Sequence, residues 1–162
     1  MSSFSLIGEK LSAFTVFFCI ISLTSCYDFP IVSDSKAIDS EGWYSEDSVS
    51  FEWEVDNLDL RYNAFVDIRH TGHYSFSNLY LITNLTFPNG KQKRDTIHVT
   101  LADDRGNWFG SGLGDLVDHR IAFIENKEFP IKGTYKLKIA QGMRQDPLKA
   151  ITDVGFRLEK SK

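Results

Sequence analysis

The chain has 162 residues, of which 42% are hydrophobic and 25% charged, so we expect one globular domain rather than a disordered chain. Its formal net charge is −4, which argues against a general nucleic-acid binder, because such proteins need a basic face. The two cysteines, Cys19 and Cys26, are too few for a disulfide framework.

The first 25 residues have the pattern of a lipoprotein signal peptide. Lys10 is followed by a mostly apolar, uncharged run from Leu11 to Leu23. This run is too short to span a bilayer, which takes about 20 residues, but it is typical of a signal-peptide hydrophobic region. It ends in Leu-Thr-Ser-Cys at residues 23–26, which resembles the lipobox of bacterial lipoproteins. We therefore predict cleavage before Cys26 and lipidation of its thiol, which anchors the mature chain to a membrane.

The residues after Cys26 bear on which membrane holds the chain. An Asp directly after the lipidated cysteine favours retention in the inner membrane in many Gram-negative bacteria, but Tyr27 stands there and Asp28 comes next. The acidic cluster of many surface lipoproteins is not matched either. We therefore expect the outer membrane rather than the inner membrane, and a chain that faces the periplasm rather than the cell surface.

The mature chain divides into a tether and a domain rich in strands. We interpret residues 26–48 as the lipidated N-terminus and a tether with an early edge strand, because they contain Pro30 and several Ser and Asp residues. From residue 49 to residue 162, apolar and polar residues alternate with a period of two. The residues expected to face the core are Val49, Phe51, Trp53 and Val55; Ala64, Val66 and Ile68; Leu79, Leu81, Leu85 and Phe87; Ile97, Val99 and Leu101; Ile121 and Phe123, or Ala122 and Ile124; Tyr135, Leu137 and Ile139; and Val154, Phe156 and Leu158.

This pattern predicts an all-β domain of about seven or eight strands. One apolar face per strand implies two packed antiparallel sheets, a sandwich of the jelly-roll or immunoglobulin-like kind, with a closed barrel as the alternative. Pro88-Asn89-Gly90 predicts a tight hairpin between two of the strands. The high aromatic content, 14%, fits a strand-rich core.

The segment 101–115 contains four glycines and several acidic residues, a composition that is compatible with three interpretations. A phosphate cradle would need a lysine after the glycines and a following helix, and neither pattern is present. A calcium loop would use the Asp oxygens, but the spacing differs from that of an EF-hand. We favour a long loop between strands, in which glycines permit positive φ angles and Trp108 and Phe109 could anchor a protein partner.

No residue pattern points to catalysis or to a metal. His70 and His73 could form half of a metal site, but no Cys or carboxylate pattern completes it, so we expect solvated histidines in a turn. The chain has no Gly-x-Ser-x-Gly motif, and no pair of carboxylates can be assigned as acid and base. We expect no enzymatic activity, no metal and no cofactor. Residues 141–148 contain Gly, Asp and Pro and predict a loop in which Arg144 and Asp146 could pair.

Eight blocks of the mature chain carry a family resemblance: Cys26-Tyr27-Asp28, Tyr62-Asn63, Ile68-Arg69, Asn78-Leu79-Tyr80-Leu81, Asp95-Thr96, residues 101–116, Gly133-Thr134-Tyr135 and residues 141–160. Together they resemble the GldH lipoproteins of the gliding machinery of Bacteroidetes. That family usually has Gly just before the Ile of the Ile-x-Asp-Val-Gly block, and Ala150 stands there in this chain.

The resemblance implies a membrane-anchored, non-enzymatic component of the gliding motility machinery, which is linked to type IX secretion. Its partners would be other gliding or secretion proteins of the envelope, and the mechanism would be docking. We expect docking through residues 107–115 and 141–146, with candidate contacts at Asn107, Trp108, Phe109, Asp115, Met143, Arg144 and Asp146.

Two other classes of function remain as alternatives. A surface carbohydrate-binding lipoprotein should expose a row of Trp and Tyr beside a cleft. An envelope enzyme should have a pocket that contains carboxylates with strongly shifted pKa values.

Overall fold

The computed structural model describes residues 29–161, in which eight antiparallel strands form two sheets. The signal peptide predicted at residues 1–25 and Cys26 lie outside this range. The strands are β1 (Val32–Ala37), β2 (Val49–Val55), β3 (Tyr62–Thr71), β4 (Asn78–Thr86), β5 (Gln92–Thr100), β6 (Leu116–Lys127), β7 (Gly133–Gln141) and β8 (Ile151–Lys160).

The strand order is that of a jelly roll. The first sheet has the order β1-β8-β3-β6 and the second has the order β2-β7-β4-β5. Every connection except the β4–β5 hairpin passes from one sheet to the other, and the first strand pairs with the last. The predicted sandwich is therefore confirmed, and of the kinds that the sequence left open the jelly roll is the one that forms.

The strands of the sandwich contribute to the core largely the inward-facing residues that the period-two pattern predicts. Leu81, Leu137 and Val154 are fully buried, as are most of their counterparts on β2, β3 and β8. In β6 Ile121, Phe123 and Ile124 pack against the core but are only half-buried, because β6 is an edge strand, whereas Ala122 is exposed. Residues of both predicted sets face inwards because the register of β6 with β3 is irregular opposite Ala64.

Two edge strands carry charged residues at inward-facing positions. Asp34 and Lys36 of β1 pair with core residues of β8 in the ladder, yet they form an exposed ion pair of 2.7 Å. Lys93 and Asp95 of β5 occupy equivalent positions and lie 3.5 Å apart. Charges at such positions oppose the addition of another strand, because pairing would bury them.

The connecting loops divide the sandwich into two different ends. The long-loop end contains four loops, which are residues 38–48, 72–77, 101–115 and 142–150. The short-loop end contains residues 56–61, 87–91 and 128–132. β1 starts at the short-loop end, because Val32 pairs with Leu158 and the Ile31 N–H donates to the Leu158 carbonyl. The chain therefore enters the sandwich at the end opposite its long loops.

An aromatic cluster closes the short-loop end. Its members are Trp53, Tyr62, Phe87, Phe129 and Tyr135, with centroids of neighbouring rings 4.7–6.1 Å apart. The Tyr62 hydroxyl donates to the Asn57 carbonyl and the Tyr135 hydroxyl donates to the Ile131 carbonyl, so two of the short loops are tied to the core. Five of the aromatic residues of the sequence thus pack together at this end.

Candidate functional site at the long-loop end

Backbone and side-chain hydrogen bonds join the first and last of the long loops. Trp43 and Leu148 exchange two backbone hydrogen bonds of 2.9 Å, and both side chains are buried. The Asp146 carboxylate accepts hydrogen bonds from the Ser45 backbone N–H, at 2.9 Å, and from the Ser45 hydroxyl, at 2.7 Å. These bonds lower the pKa of Asp146. Asp146 therefore connects two loops, whereas the sequence suggested a local pair with Arg144.

A pair of histidines lies beneath the loop between β5 and β6. His70 at the end of β3 is fully buried and His119 at the start of β6 is 7% exposed, with 3.0 Å between their Nε2 atoms. The expectation of solvated turn histidines is therefore wrong for His70, although His73 is indeed exposed. His70 and His119 are nearly fifty residues apart in the sequence, so no local pattern could indicate their contact.

Hydrogen bonding determines the protonation of this pair. His70 Nδ1 lies 2.7 Å from the Thr71 carbonyl oxygen, which can only accept, so His70 carries its proton on Nδ1. Its Nε2 must then accept a hydrogen bond from the Nε2–H of His119. Burial lowers the pKa of His70, and burial together with the neighbouring His70 lowers the pKa of His119 to about 4. Both rings are therefore neutral near pH 7.

Trp108 covers the histidine pair instead of projecting into solvent. Its ring meets the His70 ring edge to face at a centroid distance of 4.5 Å and lies 6.3 Å from the ring of Tyr74. Trp108 is half-buried, whereas the neighbouring Phe109 is 66% exposed. Of the two aromatic residues proposed as anchors, Phe109 is thus the one that faces outwards.

The acidic residues of the same loop are used to shape it. The Asp103 carboxylate accepts hydrogen bonds from the backbone N–H groups of Arg105 and Asn107 and from the Asn107 side chain, each at 2.8 Å. The bonds from Asn107 are the main reason that the pKa of Asp103 is lowered. Asp115 accepts a hydrogen bond from the Gly72 N–H, which joins this loop to the one between β3 and β4.

Glycines build the turn that follows Phe109. A Cβ atom at Gly110 would lie 2.5 Å from the Asp118 carbonyl oxygen, and one at Gly112 would overlap the Leu116 carbonyl oxygen. Only glycine fits at these two positions, because the backbone approaches itself there. Leu113, which lies between Gly112 and Gly114, is 91% exposed. Leu116, two residues after Gly114, is 40% exposed. We call Phe109, Leu113 and Leu116 the apolar tip of the loop.

The candidate contacts Met143 and Arg144 lie, like Asp146, on the loop after β7. The Met143 sulfur accepts a hydrogen bond from the Tyr80 N–H at 3.4 Å, and the Met143 N–H donates to the buried Gln141 side chain at 2.7 Å. Met143 is half-buried and Arg144 is exposed. The structure thus places both loops selected from the sequence at the long-loop end.

Charge differs strongly between the two ends of the sandwich. The four long loops contain eight carboxylates and three Arg or Lys residues, which gives a formal net charge of −5. The three short loops contain three carboxylates and three Arg or Lys residues, a formal net charge of 0. The acidic character of the chain is therefore concentrated at the long-loop end.

A polar groove of about 590 Å³ crosses the outer face of the first sheet. Its floor lies at Gly155, and its carboxylates are engaged in ion pairs: Asp67 with Arg120 at 2.8 Å and Asp118 with Arg69 at 2.6 Å. The pKa values of Asp34, Asp103 and Asp146 are lowered, because hydrogen bonds to each of these carboxylates favour its charged form. Within the same range, no group of three or more His, Cys, Asp or Glu side chains is placed to hold a metal.

The match to a known family covers nearly all of this architecture. The family model described as GldH lipoprotein matches residues 30–158, from just before β1 to near the end of β8. The chain belongs to the GldH lipoprotein family. The resemblance inferred from the sequence blocks is thereby confirmed.

Curated relatives of this GldH-family chain cover most of its length. The gliding motility lipoprotein GldH homolog of Christiangramia forsetii is 38% identical over 93% of this chain and 98% of the relative. The gliding motility lipoprotein GldH of Flavobacterium johnsoniae is 34% identical over 86% of this chain and 90% of the relative. The chain is thus a gliding motility lipoprotein of the cell envelope, anchored to a membrane, and it does not belong to an enzyme family.

Solved structures are only distantly similar to this GldH-family chain. A family GH115 4-O-methyl-α-glucuronidase matches 85% of this chain and 18% of its own, with 12% identity and a TM-score of 0.41. The VP2 subviral particle of infectious bursal disease virus matches 83% of this chain and 32% of its own, with 15% identity and a TM-score of 0.35.

Among residues 29–161 there is no helix long and apolar enough to cross a membrane.

Proposed function

We propose that this chain is a non-enzymatic docking component of the gliding machinery, linked to type IX secretion. Lipidated Cys26 holds it at the outer membrane, where it faces the periplasm, and its long-loop end contacts other envelope proteins. The observation that carries this proposal is that the chain enters the sandwich at the short-loop end.

The short distance between the lipid anchor and the first strand indicates how the sandwich is oriented relative to the membrane. Five residues separate Cys26 from Val32, and at about 3.5 Å per residue they span at most about 20 Å. A nine- or ten-residue strand, such as β3 or β4, is about 30 Å long. The long-loop end therefore extends away from the membrane that holds the anchor, towards other envelope components. Attachment also raises the local concentration of this end near its partners.

The distribution of charge favours the same orientation. The net charge of −5 on the long loops is repelled by anionic lipid headgroups, whereas the short loops are neutral overall. An acidic end that faces away from the membrane avoids this repulsion and remains available to a protein partner.

The alternative functions receive less support from the same residues. Trp43 and Trp53 are buried and Trp108 is half-buried, and the exposed tyrosines of residues 29–161, Tyr44 and Tyr80, come from a loop and from β4, which gives little support to the row of exposed Trp and Tyr expected of a carbohydrate-binding surface. The carboxylates of the polar groove are held in ion pairs, which suits a stable sheet surface better than acid–base catalysis.

The anchor is tested by the Cys26→Ala variant of the full chain, expressed in cells that lack the wild-type gene. We expect loss of acyl labelling, release from the membrane fraction and loss of colony spreading. Acyl labelling that persists in this variant would show that the anchor is elsewhere.

The docking end is tested by photoreactive residues in the wild-type background, one at Glu46 on the long-loop end and one at Asn89 on the short-loop end. Both side chains are exposed. We expect crosslinks to other envelope proteins from position 46 and few from position 89. The reverse pattern would contradict the proposed orientation.

A further inference from the structure

The apolar tip is the most unusual surface of the long-loop end. Leu113 is 91% exposed and Phe109 is 66% exposed, although both are large hydrophobic side chains. Both belong to one eight-residue segment, 109–116, which also contains Leu116. Large apolar side chains exposed within one short segment that also contains polar and acidic residues are typical of surfaces that bind another molecule.

The backbone around the apolar tip is pre-shaped. The Ser111 and Asp118 backbones exchange hydrogen bonds of 3.0 and 2.7 Å, which close the base of the turn. Gly110 and Gly112 allow a backbone approach that no side chain permits, and Gly114 has a φ of +67°. A turn held in this way displays Leu113 with little conformational freedom to lose on binding, which favours affinity.

The charge around the apolar tip indicates the chemistry of the partner that it would bind. The four long loops have a formal net charge of −5, and exposed carboxylates on them include Glu46, Asp104 and Asp115. Charge complementarity then requires a basic surface on the partner, and the exposed leucine requires an apolar pocket within it. An anionic bilayer meets neither the electrostatic requirement nor the orientation proposed above.

We propose that the apolar tip inserts into an apolar pocket on an envelope protein, and that Lys and Arg residues of this protein border the pocket and face the acidic long loops. This inference rests on the proposed function and adds the chemistry of the partner to it. Leu113 supplies the inserted side chain, and the carboxylates around it attract and orient the partner before contact.

The test uses the full-length lipoprotein in its own cells, with a photoreactive residue at Ser111, an exposed position beside the apolar tip. Leu113→Ser removes the apolar group, Leu113→Met preserves it, and Tyr80→Ser removes an exposed aromatic group from the face of the second sheet. We expect crosslinking to one envelope protein to fall about tenfold in Leu113→Ser and to persist in the other two variants. The thermal midpoint of unfolding should be the same in the two Leu113 variants as in the wild-type chain, because position 113 is exposed.

The basic border is tested by reversing charge. Glu46→Lys with Asp104→Lys changes the long-loop end, and Asp59→Lys with Glu125→Lys changes the same number of exposed carboxylates near the short-loop end. We expect the first double variant to lower crosslinking from Ser111 about tenfold and to weaken its dependence on salt, while the second has little effect.

The remaining outcomes would contradict either the inferred insertion of the apolar tip, the inferred partner or the proposed function. Crosslinking from Ser111 that is unaffected by Leu113→Ser and by both charge reversals would overturn this inference and leave docking through the long-loop end intact. Adducts of lipid, or of a second copy of the chain, at Ser111 would overturn the inferred partner. Crosslinks confined to Asn89 would contradict the proposed function itself.

Discussion

The two ends of the sandwich are built from the same strands but are stabilised in different ways. Five aromatic side chains close the short-loop end, where the loops are neutral overall and the chain enters from its anchor. At the long-loop end, Trp43 and a Trp108-covered histidine pair lie beneath loops that are joined by backbone and carboxylate hydrogen bonds.

The difference suggests that the short-loop end contributes mainly stability and the long-loop end mainly recognition. Aromatic packing needs no exposed group and makes the short-loop end a rigid base. Long loops on such a base can vary in sequence and carry binding residues, because the strands hold their ends in place. If the long-loop end depends on a few specific contacts, substitutions at those contacts should change stability more than matched substitutions at neighbouring exposed positions.

The largest effect is expected at Trp43, where two long loops meet. Its side chain is 1% exposed and its Nε1–H donates to the Asp47 carbonyl at 2.6 Å, so Trp43→Ala leaves a large cavity and removes this hydrogen bond. We expect a loss of about 3–5 kcal/mol in the free energy of unfolding, measured by urea denaturation. The neighbouring Tyr44 is 37% exposed, so Tyr44→Ala should cost far less and serves as the control. Equal losses would show that Trp43 does not hold the loops.

An intermediate effect is expected from the histidine pair as the pH falls. The unfolded chain binds protons on histidine near pH 6.5, whereas the pKa of His119 in the folded chain is lowered to about 4. Between these values the unfolded state binds more protons, so stability is complete above pH 6.5 and decreases as the pH approaches 4. We expect a decrease on the order of 2 kcal/mol over this window, measured by denaturation at successive pH values.

Two variants isolate the histidine contribution from that of other groups. His119→Gln should make the pH dependence between 6.5 and 4 shallower, because one buried titrating ring is gone. His73→Gln should not change it, since the His73 side chain is 88% exposed. An unchanged slope in His119→Gln would mean that the pair titrates normally.

The smallest effect is expected at two residues with positive φ, one near each end. Ala150, beside the long loops, has a φ of +69° and Asn126, near the short loops, has a φ of +50°. This conformation costs alanine about 1–2 kcal/mol, while glycine loses roughly 0.5–1 kcal/mol through its greater freedom when unfolded. Ala150→Gly should therefore stabilise the chain by about 0.5–1 kcal/mol in the same denaturation assay.

Asn126→Gly is the matched control for this prediction. Asparagine tolerates the left-handed region better than alanine, so its replacement by glycine should change stability by less. A destabilised Ala150→Gly variant would indicate that the alanine methyl group makes contacts that outweigh its backbone strain.

Most of the strand core could be predicted from the sequence, because alternation with a period of two depends only on neighbouring residues. Phe51, Val66 and Leu137, which the alternation predicts to face the core, are buried. For β6 the sequence allows two inward sets, and the structure takes residues from both, because an irregular register opposite Ala64 brings Ile124 to the core side together with Ile121 and Phe123. The positive φ of Ala150 is a conformation that glycine, the residue expected there from the family resemblance, adopts without strain.

The candidate site could be predicted only in part. Glycines and aromatic residues indicated an important loop, but the inward direction of Trp108 depends on His70 and His119, which come from two other strands. The link between Ser45 and Asp146 joins residues about one hundred positions apart, so no local motif could reveal it.

The order of the residues thus determined the lipoprotein pattern, the all-β class, most of the core and the family, since each depends on local spacing or on blocks of contiguous residues. The tertiary structure decided the jelly-roll order, the buried histidine pair and the assembly of four distant loops into one acidic end with an apolar tip. It also placed that end opposite the point where the chain enters the sandwich. These features depend on which strands pair across the two sheets, and strand pairing is a long-range property that local sequence does not specify.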